Sequence, residues 1–187
     1  MRSAIRRFVN ERLEPLARQM DQDGQVAPSA LAEMRQQGYL GMRLPAEYGG
    51  GGFDLATYCL VMEEVARSHR VFTVMLDCTS GLTPIGIARH GTPAQRDKYV
   101  ARLASGEWLG SFALTEPEAG SDAAALRTTA EKTAGGWVIN GLKQFISAAH
   151  RAQVVMVLAV TDTARRARGG ITAFLVDQGT PGMHIAR

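Results

Sequence analysis

The sequence predicts an α+β protein in which an all-helical region precedes a region of β-strands. Up to about residue 107 the apolar residues recur at three- and four-residue steps, which is typical of amphipathic helices. Beyond it they form the short runs that are typical of strands. Because helices and strands are segregated along the chain and do not alternate, we expect two domains, residues 1–107 and 108–187, and no β-α-β units.

The first helix is predicted over residues 5–20, where apolar side chains follow the helical period. Pro15 either kinks this helix or starts its second half, and the polar residues before Gly24 end it. A short second helix begins at Pro28, because proline suits a first helical position, and Gly38 stops it.

Residues 39–53 are predicted to form a loop. Its glycine run at residues 49–52 can in principle hold phosphate, but no predicted strand leads into it, so a tight connection is expected. Asp54 then caps a third helix. On that helix Glu63 and Glu64 diverge by about 100°, so we expect solvated or ion-paired carboxylates and not a carboxylate pair.

Residues 71–88 are apolar nearly all round, which predicts a buried central helix or two helical pieces that meet near residues 83–84. Thr92 caps the next helix, which ends at Gly106. The region beyond contains predicted strands over residues 126–133, 137–139, 154–160 and 171–176, with the start of one more after Gly182.

Residues 112–122 carry the main chemical signal. They begin as a strand, and Pro117 ends any central-strand pairing. Gly120, Ser121 and Asp122 follow, and a glycine beside a hydroxyl lets backbone N–H groups approach an anion closely. The stretch indicates a cofactor cradle, with two alternatives. Residues 120–122 form a polar turn held by Asp122, or Phe112 and Leu114 belong only to the core.

The run Ala113-Leu-Thr-Glu-Pro-Glu-Ala-Gly-Ser-Asp122 resembles the signature of the acyl-CoA dehydrogenases, which are flavin enzymes. A second block, Asn140-Gly-Leu-Lys-Gln-Phe-Ile-Ser147, follows at about the family's distance, with Phe145 where the family usually has tryptophan. Residues 45–52 and 62–66 are also similar to the family. The resemblance covers the whole chain and implies an N-terminal all-helical domain followed by an incomplete β-barrel-like middle domain.

The resemblance implies that the chain binds FAD and an acyl-CoA substrate. The residues expected to meet the flavin ring are Phe112, Ala113, Leu114, Thr115, Phe145, Ile146 and Ser147. Gly120 and Ser121 are expected beside the FAD pyrophosphate, and Ser121 also beside the acyl-CoA. Ser147 is expected to donate to flavin N5, where negative charge develops. Alternatively, residues 145–147 are an ordinary strand end with Ser147 facing water.

The resemblance also implies a C-terminal four-helix bundle that residues 1–187 lack, and the family's catalytic glutamate lies in that bundle. We therefore expect no catalytic residue in this chain and assign neither Glu116 nor Glu118 as a base. The predicted reaction is the α,β-dehydrogenation of an acyl-CoA thioester. The alternatives are an acyl-CoA oxidase or a flavin monooxygenase of the same fold, and a non-catalytic remnant that binds a partner.

The composition, with 45% hydrophobic and 21% charged residues, is ordinary for a globular protein. Arginines near the N-terminus and at residues 165–168 are expected to form solvated surfaces or, alternatively, to attract an anionic partner. Nucleic-acid binding is not expected, because few aromatic residues accompany these arginines. No membrane span is expected, since no apolar run reaches about 18–20 residues. The two cysteines lack metal-ligand spacing, so no metal is expected.

The resemblance also implies two protein partners. It implies an electron-transfer flavoprotein as the electron acceptor and a homo-oligomer for the full-length protein. The expected location is the cytoplasm, or the mitochondrial matrix if the source is eukaryotic.

Overall fold

The computed structural model describes residues 1–186. The chain divides into two compact units, of which the first is Met1–Leu109 and the second begins at Gly110. The first unit is helical and the second is built on a sheet, so the predicted α+β class is confirmed.

The helical unit begins with a long helical segment that changes type before Pro15. Proline lacks an N–H and its ring crowds the preceding turn, and a π-helical turn lies directly before it and separates the first two helices. Pro15 therefore starts the second half of the segment. The helices are α1 (Arg2–Phe8), the π turn (Val9–Leu13), α2 (Glu14–Asp23), α3 (Pro28–Gln36), α4 (Leu55–Val65), α5 (Arg70–Ser80), α6 (Leu82–His90) and α7 (Pro93–Ala104).

The helices begin and end at the predicted local signals. Gly24 ends α2 in the left-handed conformation, with φ of 62°. The Asp54 carboxylate accepts the N–H of Thr57 at 2.7 Å and caps α4. Thr92 and Gln95 form a reciprocal capping box at the start of α7. These ends are therefore determined within a few residues of sequence.

The apolar stretch of residues 71–88 forms two helices, α5 and α6. They meet at Gly81, two residues before the predicted junction near residues 83–84. Glycine suits this position, because a β-carbon there would overlap the Asp77 carboxylate and backbone. By length and composition Arg70–His90 could cross a membrane, but more than half of its most apolar part is buried inside the protein. The stretch therefore does not show a membrane span.

The loop of residues 39–53 is held against the helical core. Tyr39 meets Phe8 of α1 edge to face, with ring centroids 5.2 Å apart. A short 3-10 turn, Ala46–Tyr48, interrupts the loop. The fully buried side chains of this core are Leu13, Ala30, Met34, Val65, Phe72 and Leu76.

Two of the N-terminal arginines, Arg2 and Arg6, are not simply solvated, because they bind the acidic residues of α4. Arg6 donates to both carboxylate oxygens of Glu64, at 2.8 and 2.9 Å, and Arg2 donates to Glu63 and, at 3.4 Å, to Glu64. Arg67 adds a third guanidinium at 3.2 Å from Glu64. The hydrogen bonds from Arg6 hold the pKa of the buried Glu64 carboxyl at about 2, against the opposing effect of burial. The predicted ion-paired carboxylates are confirmed.

We expect Glu64→Gln to lower the melting temperature of the protein by several degrees at pH 7, because the buried acceptor of three arginines loses its charge. A depressed folded pKa gives stability that is present above the ordinary carboxyl pKa of about 4.5 and is lost as pH falls towards 2. Thermal unfolding across this pH range should therefore depend less on pH in the variant. Glu63→Gln is the control: Glu63 is exposed, so its loss should have a much smaller effect. Equal effects from the two variants would contradict the prediction.

The sheet of the second unit is arranged around β4 (Val154–Val160), whose continuous apolar run is typical of a strand buried on both faces. The strand β1 (Gly110–Ala113) pairs parallel with its first half, and β5 (Ile171–Asp177) pairs antiparallel along its whole length. The strand β2 (Thr129–Thr133) meets β4 at Val160 and forms a hairpin with β3 (Gly136–Asn140). This mixed sheet is not closed, which agrees with the predicted incomplete barrel.

Two strand predictions are wrong: one strand begins later than predicted, and another does not form over the described residues. Residues 126–128 precede β2, because the N–H groups of Arg127 and Thr128 donate to the Glu116 carboxylate and not to a neighbouring strand. The strand predicted after Gly182 does not form over residues 183–186, the last part of the chain that the structure describes.

Candidate functional site

The strand β1 leads into a tight turn that reverses the chain. Its last residue is Ala113, and two further residues lead to Glu116. The backbones of Glu116 and Ala119 then exchange two hydrogen bonds, of 3.0 and 3.2 Å. Pro117 lies inside this turn, where no ladder N–H is needed. The predicted change from strand to proline turn is confirmed.

A second segment lies alongside the end of β1. The N–H of Gln144 donates to the carbonyl oxygen of Thr115 at 2.9 Å, and the Ser111 hydroxyl donates to the carbonyl oxygen of Ser147 at 2.6 Å. The two segments therefore run in opposite directions over residues 111–115 and 144–147. This contact brings together the two groups of residues that are expected at the flavin ring.

Residues 145–148 form a strained turn and not the strand end of the alternative interpretation. Phe145 and Ala148 both have left-handed backbones, with φ of 58° and 59°. This conformation costs a non-glycine residue roughly 1–2 kcal/mol. The Phe145 side chain is 86% exposed, and Ser147 is exposed beside it. An aromatic ring next to a hydroxyl offers both stacking and hydrogen bonding to a flat polar ligand.

Part of the predicted flavin site belongs to the core of the sheet. Ala113 is buried with Ala152 and Val155, and Ile146 packs against the same cluster. Phe112 is only partly buried. The alternative interpretation placed Phe112 and Leu114 in the core, and Leu114 does pack against the buried Leu126 and Val160. The side chains of Ala113 and Ile146 are also taken up by the core, so these two residues can offer a ligand only their backbone groups.

The predicted phosphate contacts lie directly after the tight turn, where Gly120 and Ser121 are exposed. A β-carbon at Gly120 would meet no heavy atom within 4 Å, so the space beside it is open. The Asp122 carboxylate accepts the N–H of Ala124 at 3.1 Å, which confirms the polar turn as well.

Glu116 is a buried carboxylate at the centre of this arrangement. It accepts the Lys143 ammonium at 2.7 Å and the N–H groups of Arg127 and Thr128. Burial raises the pKa of the Glu116 carboxyl, but the hydrogen bonds from these donors outweigh it and hold the pKa at about 2. The group is therefore ionised at neutral pH, which suits a fixed acceptor and not a base that must exchange protons.

Three residues that join the two segments are not among the predicted site residues: Ser111, Lys143 and Gln144. One feature of the sequence could have indicated that the two motif blocks meet: they carry opposite charges, Glu116 in the first and Lys143 in the second. Because the two residues are 27 positions apart, no local period or spacing predicts that they meet.

Two models of known protein families match the chain. The family model for the acyl-CoA dehydrogenase N-terminal domain matches residues 1–107, and the model for the acyl-CoA dehydrogenase middle domain matches residues 111–187. The chain belongs to the acyl-CoA dehydrogenase family.

Individual acyl-CoA dehydrogenases match the chain along its length. An acyl-CoA dehydrogenase of Bacillus subtilis (strain 168) is 36% identical over 187 residues, which are 100% of this chain and 49% of that protein. The structure of butyryl-CoA dehydrogenase from Megasphaera elsdenii has a TM-score of 0.86 and 34% identity, and the match covers 97% of this chain and 48% of the other. The chain thus spans about half the length of the relatives it matches.

A glutaryl-CoA dehydrogenase from Mycobacterium smegmatis, in complex with FADH2, has a TM-score of 0.87 and 32% identity. The match covers 97% of this chain and 45% of the other. The residues of the present chain are compatible with a flavin: the space beside Gly120 is open, and the exposed Phe145 and Ser147 offer a stacking face and a donor. Within residues 1–186, no group of three or more His, Cys, Asp or Glu is placed to hold a metal ion.

Proposed function

We propose that the protein is an FAD-dependent acyl-CoA dehydrogenase, which removes hydrogen from the α and β carbons of an acyl-CoA thioester. Membership of the family supports the general class, and one structural observation supports the cofactor. The exposed aromatic ring of Phe145 and the hydroxyl-bearing Ser147 lie on a segment that is hydrogen-bonded to the end of β1. These are the two segments whose motifs resemble those of flavin enzymes.

Each residue has a distinct task in this proposal. Phe145 would cover one face of the flavin, and Thr115 would offer hydrogen bonds to its polar edge. Gly120 would let the backbone approach the pyrophosphate, and Ser121 would donate to it and to the acyl-CoA. Ser147 would donate to flavin N5 and stabilise the charge that develops there. A bound FAD supplies the hydride acceptor for the β-hydrogen.

We assign no base for the α-proton within residues 1–186. The family resemblance implies a carboxylate base in a four-helix bundle that residues 1–187 do not include. Electron-transfer flavoprotein is the proposed acceptor of the electrons, and the full-length protein is proposed to be a homo-oligomer. The proposed location is the cytoplasm, or the mitochondrial matrix in a eukaryote.

The test uses the natural polypeptide that contains these 187 residues. We expect it to purify with FAD and to lose its yellow colour when a saturated acyl-CoA is added without oxygen, with one enoyl-CoA formed per flavin reduced. Mass spectrometry of the thioester should show a loss of two hydrogens. Rapid turnover with oxygen alone would favour the oxidase or the monooxygenase. If no acyl-CoA reduced the flavin, the non-catalytic alternative would stand in place of the proposal.

A further inference from the structure

An ion pair joins the two segments of the candidate flavin site. The Lys143 ammonium donates to the carbonyl oxygen of Leu114 at 2.9 Å and to the carboxylate of Glu116 at 2.7 Å. The Lys143 side chain is 10% exposed and the Glu116 side chain 3%. At such burial the pair is little screened by solvent.

The Glu116 end of this pair is anchored on three sides. Its carboxylate accepts the backbone N–H groups of Arg127 and Thr128, which directly precede β2. Its carbonyl oxygen accepts the Gln144 side-chain amide at 3.2 Å. Its backbone forms the tight turn with Ala119. Glu116 is thus a fixed point, and a group bonded to it is held in place relative to the sheet.

Lys143, the other member of the pair, lies two residues before Phe145, whose backbone conformation is strained. Phe145 has its left-handed φ of 58° in a residue type that does not favour it. Strained backbones of this kind persist only where the surrounding contacts determine them. Downstream, Ser147 is held by the Ser111 hydroxyl. Upstream, Lys143 and Gln144 supply the bonds to the end of β1.

We propose that Lys143 and Glu116 act as a positioning clasp, defined as this ion pair, that fixes residues 145–147 against the end of β1 in the geometry that receives the flavin. The inference rests on the proposed function for its ligand. A buried ion pair is weak evidence for stability as such, since a hydrophobic pair of similar volume is often as stable. Its location between the two flavin-facing segments is what gives it a positioning role, because misplacement by about 1 Å can cost about 100-fold in rate.

The test compares Lys143→Met, Glu116→Gln and Lys143→Arg in the natural polypeptide that contains this chain. Lys132→Met is the matched control, because Lys132 is an exposed lysine on β2 of the same unit. The first readout needs no flavin: hydrogen exchange of the apoprotein should be at least tenfold faster at Gln144 in Lys143→Met. Lys132→Met should leave that exchange unchanged, and Lys143→Arg should restore most of the protection.

The second set of readouts uses the loaded protein well below its melting temperature. Lys143→Met and Glu116→Gln should raise the FAD dissociation constant at least tenfold, shift the visible flavin spectrum and slow flavin reduction about 10- to 100-fold. The KM for acyl-CoA should change less than the reduction rate. Lys143→Arg should recover most of the spectrum and the rate, because it keeps the charge.

The outcomes separate this inference from the proposed function. A wild-type protein that binds no flavin would overturn the proposed function, while the hydrogen-exchange result would still test the clasp. A Lys143→Met protein that is folded and has wild-type exchange at Gln144, flavin spectrum and reduction rate would overturn the clasp. A lower melting temperature with unchanged flavin properties would also overturn it, because the pair would then be purely structural.

Discussion

Replacement of Ser147 by alanine is expected to slow the reduction of bound flavin by roughly 30- to 1,000-fold, which corresponds to about 2–4 kcal/mol of lost transition-state stabilisation. The reason is electrostatic: in the proposed site the Ser147 hydroxyl donates to N5 and stabilises negative charge that develops during hydride transfer and is nearly absent before it. FAD should stay bound, because the backbone of the turn is held without this side chain. The Ser147 carbonyl oxygen keeps its bond from Ser111 in the variant. Stopped-flow mixing with acyl-CoA, without oxygen, measures the rate.

The matched variant for this experiment is Ser147→Thr, which keeps the hydroxyl. It should retain most of the wild-type reduction rate if the donor is what matters. A Ser147→Ala protein that reduces its flavin at the wild-type rate would remove Ser147 from the proposed mechanism. Loss of FAD from Ser147→Ala would place the residue in cofactor binding instead of hydride transfer.

Replacement of Gly120 by valine is expected to abolish the yellow colour of the purified protein. The dissociation constant of FAD should rise more than 100-fold, which is about 3 kcal/mol of binding free energy. The fold itself should accept the change, because a β-carbon at Gly120 meets no heavy atom within 4 Å and no left-handed backbone requires glycine there. The added side chain would occupy the open space that the proposal assigns to the pyrophosphate. Titration of the apoprotein with FAD, followed by flavin fluorescence, gives the dissociation constant.

Gly135→Val provides the control, since Gly135 lies in the turn between β2 and β3 and also has open space where a side chain would begin. It should bind FAD like the wild type. A Gly120→Val protein that is folded by circular dichroism and still yellow would show that the pyrophosphate lies elsewhere. Loss of folding in both variants would instead indicate that this unit tolerates no added side chain in its turns, contrary to the open space at both positions.

Local signals in the sequence were enough to predict most elements. Asp54 and Thr92 start their helices, and Gly24 ends one, because each acts through backbone groups within about three residues. The apolar run of β4 was predicted with its correct bounds, since a strand buried on both faces must be apolar throughout. The order of helices before strands follows from the spacing of the apolar residues, which is typical of helices up to about residue 107 and of strands beyond it.

The start of β2 was predicted with an error, because it depends on a distant residue. The strand β2 begins at Thr129, because the carboxylate of Glu116 takes the two N–H groups before it. A side chain 11 or 12 residues away that competes for backbone donors is not visible in a local window.

Some features of the candidate site could be predicted from the sequence, and others depend on the tertiary structure. The motif blocks at residues 113–122 and 140–147 were sufficient to locate the two segments that are expected to hold a flavin. Only the tertiary structure placed these segments side by side, gave Phe145 its left-handed backbone and paired Lys143 with Glu116. The sequence by itself determined residue type and local backbone preference. The exposure, strain and ion pairing of the site arise from contacts between residues far apart in the chain, whose energies depend on burial that only the folded sheet provides.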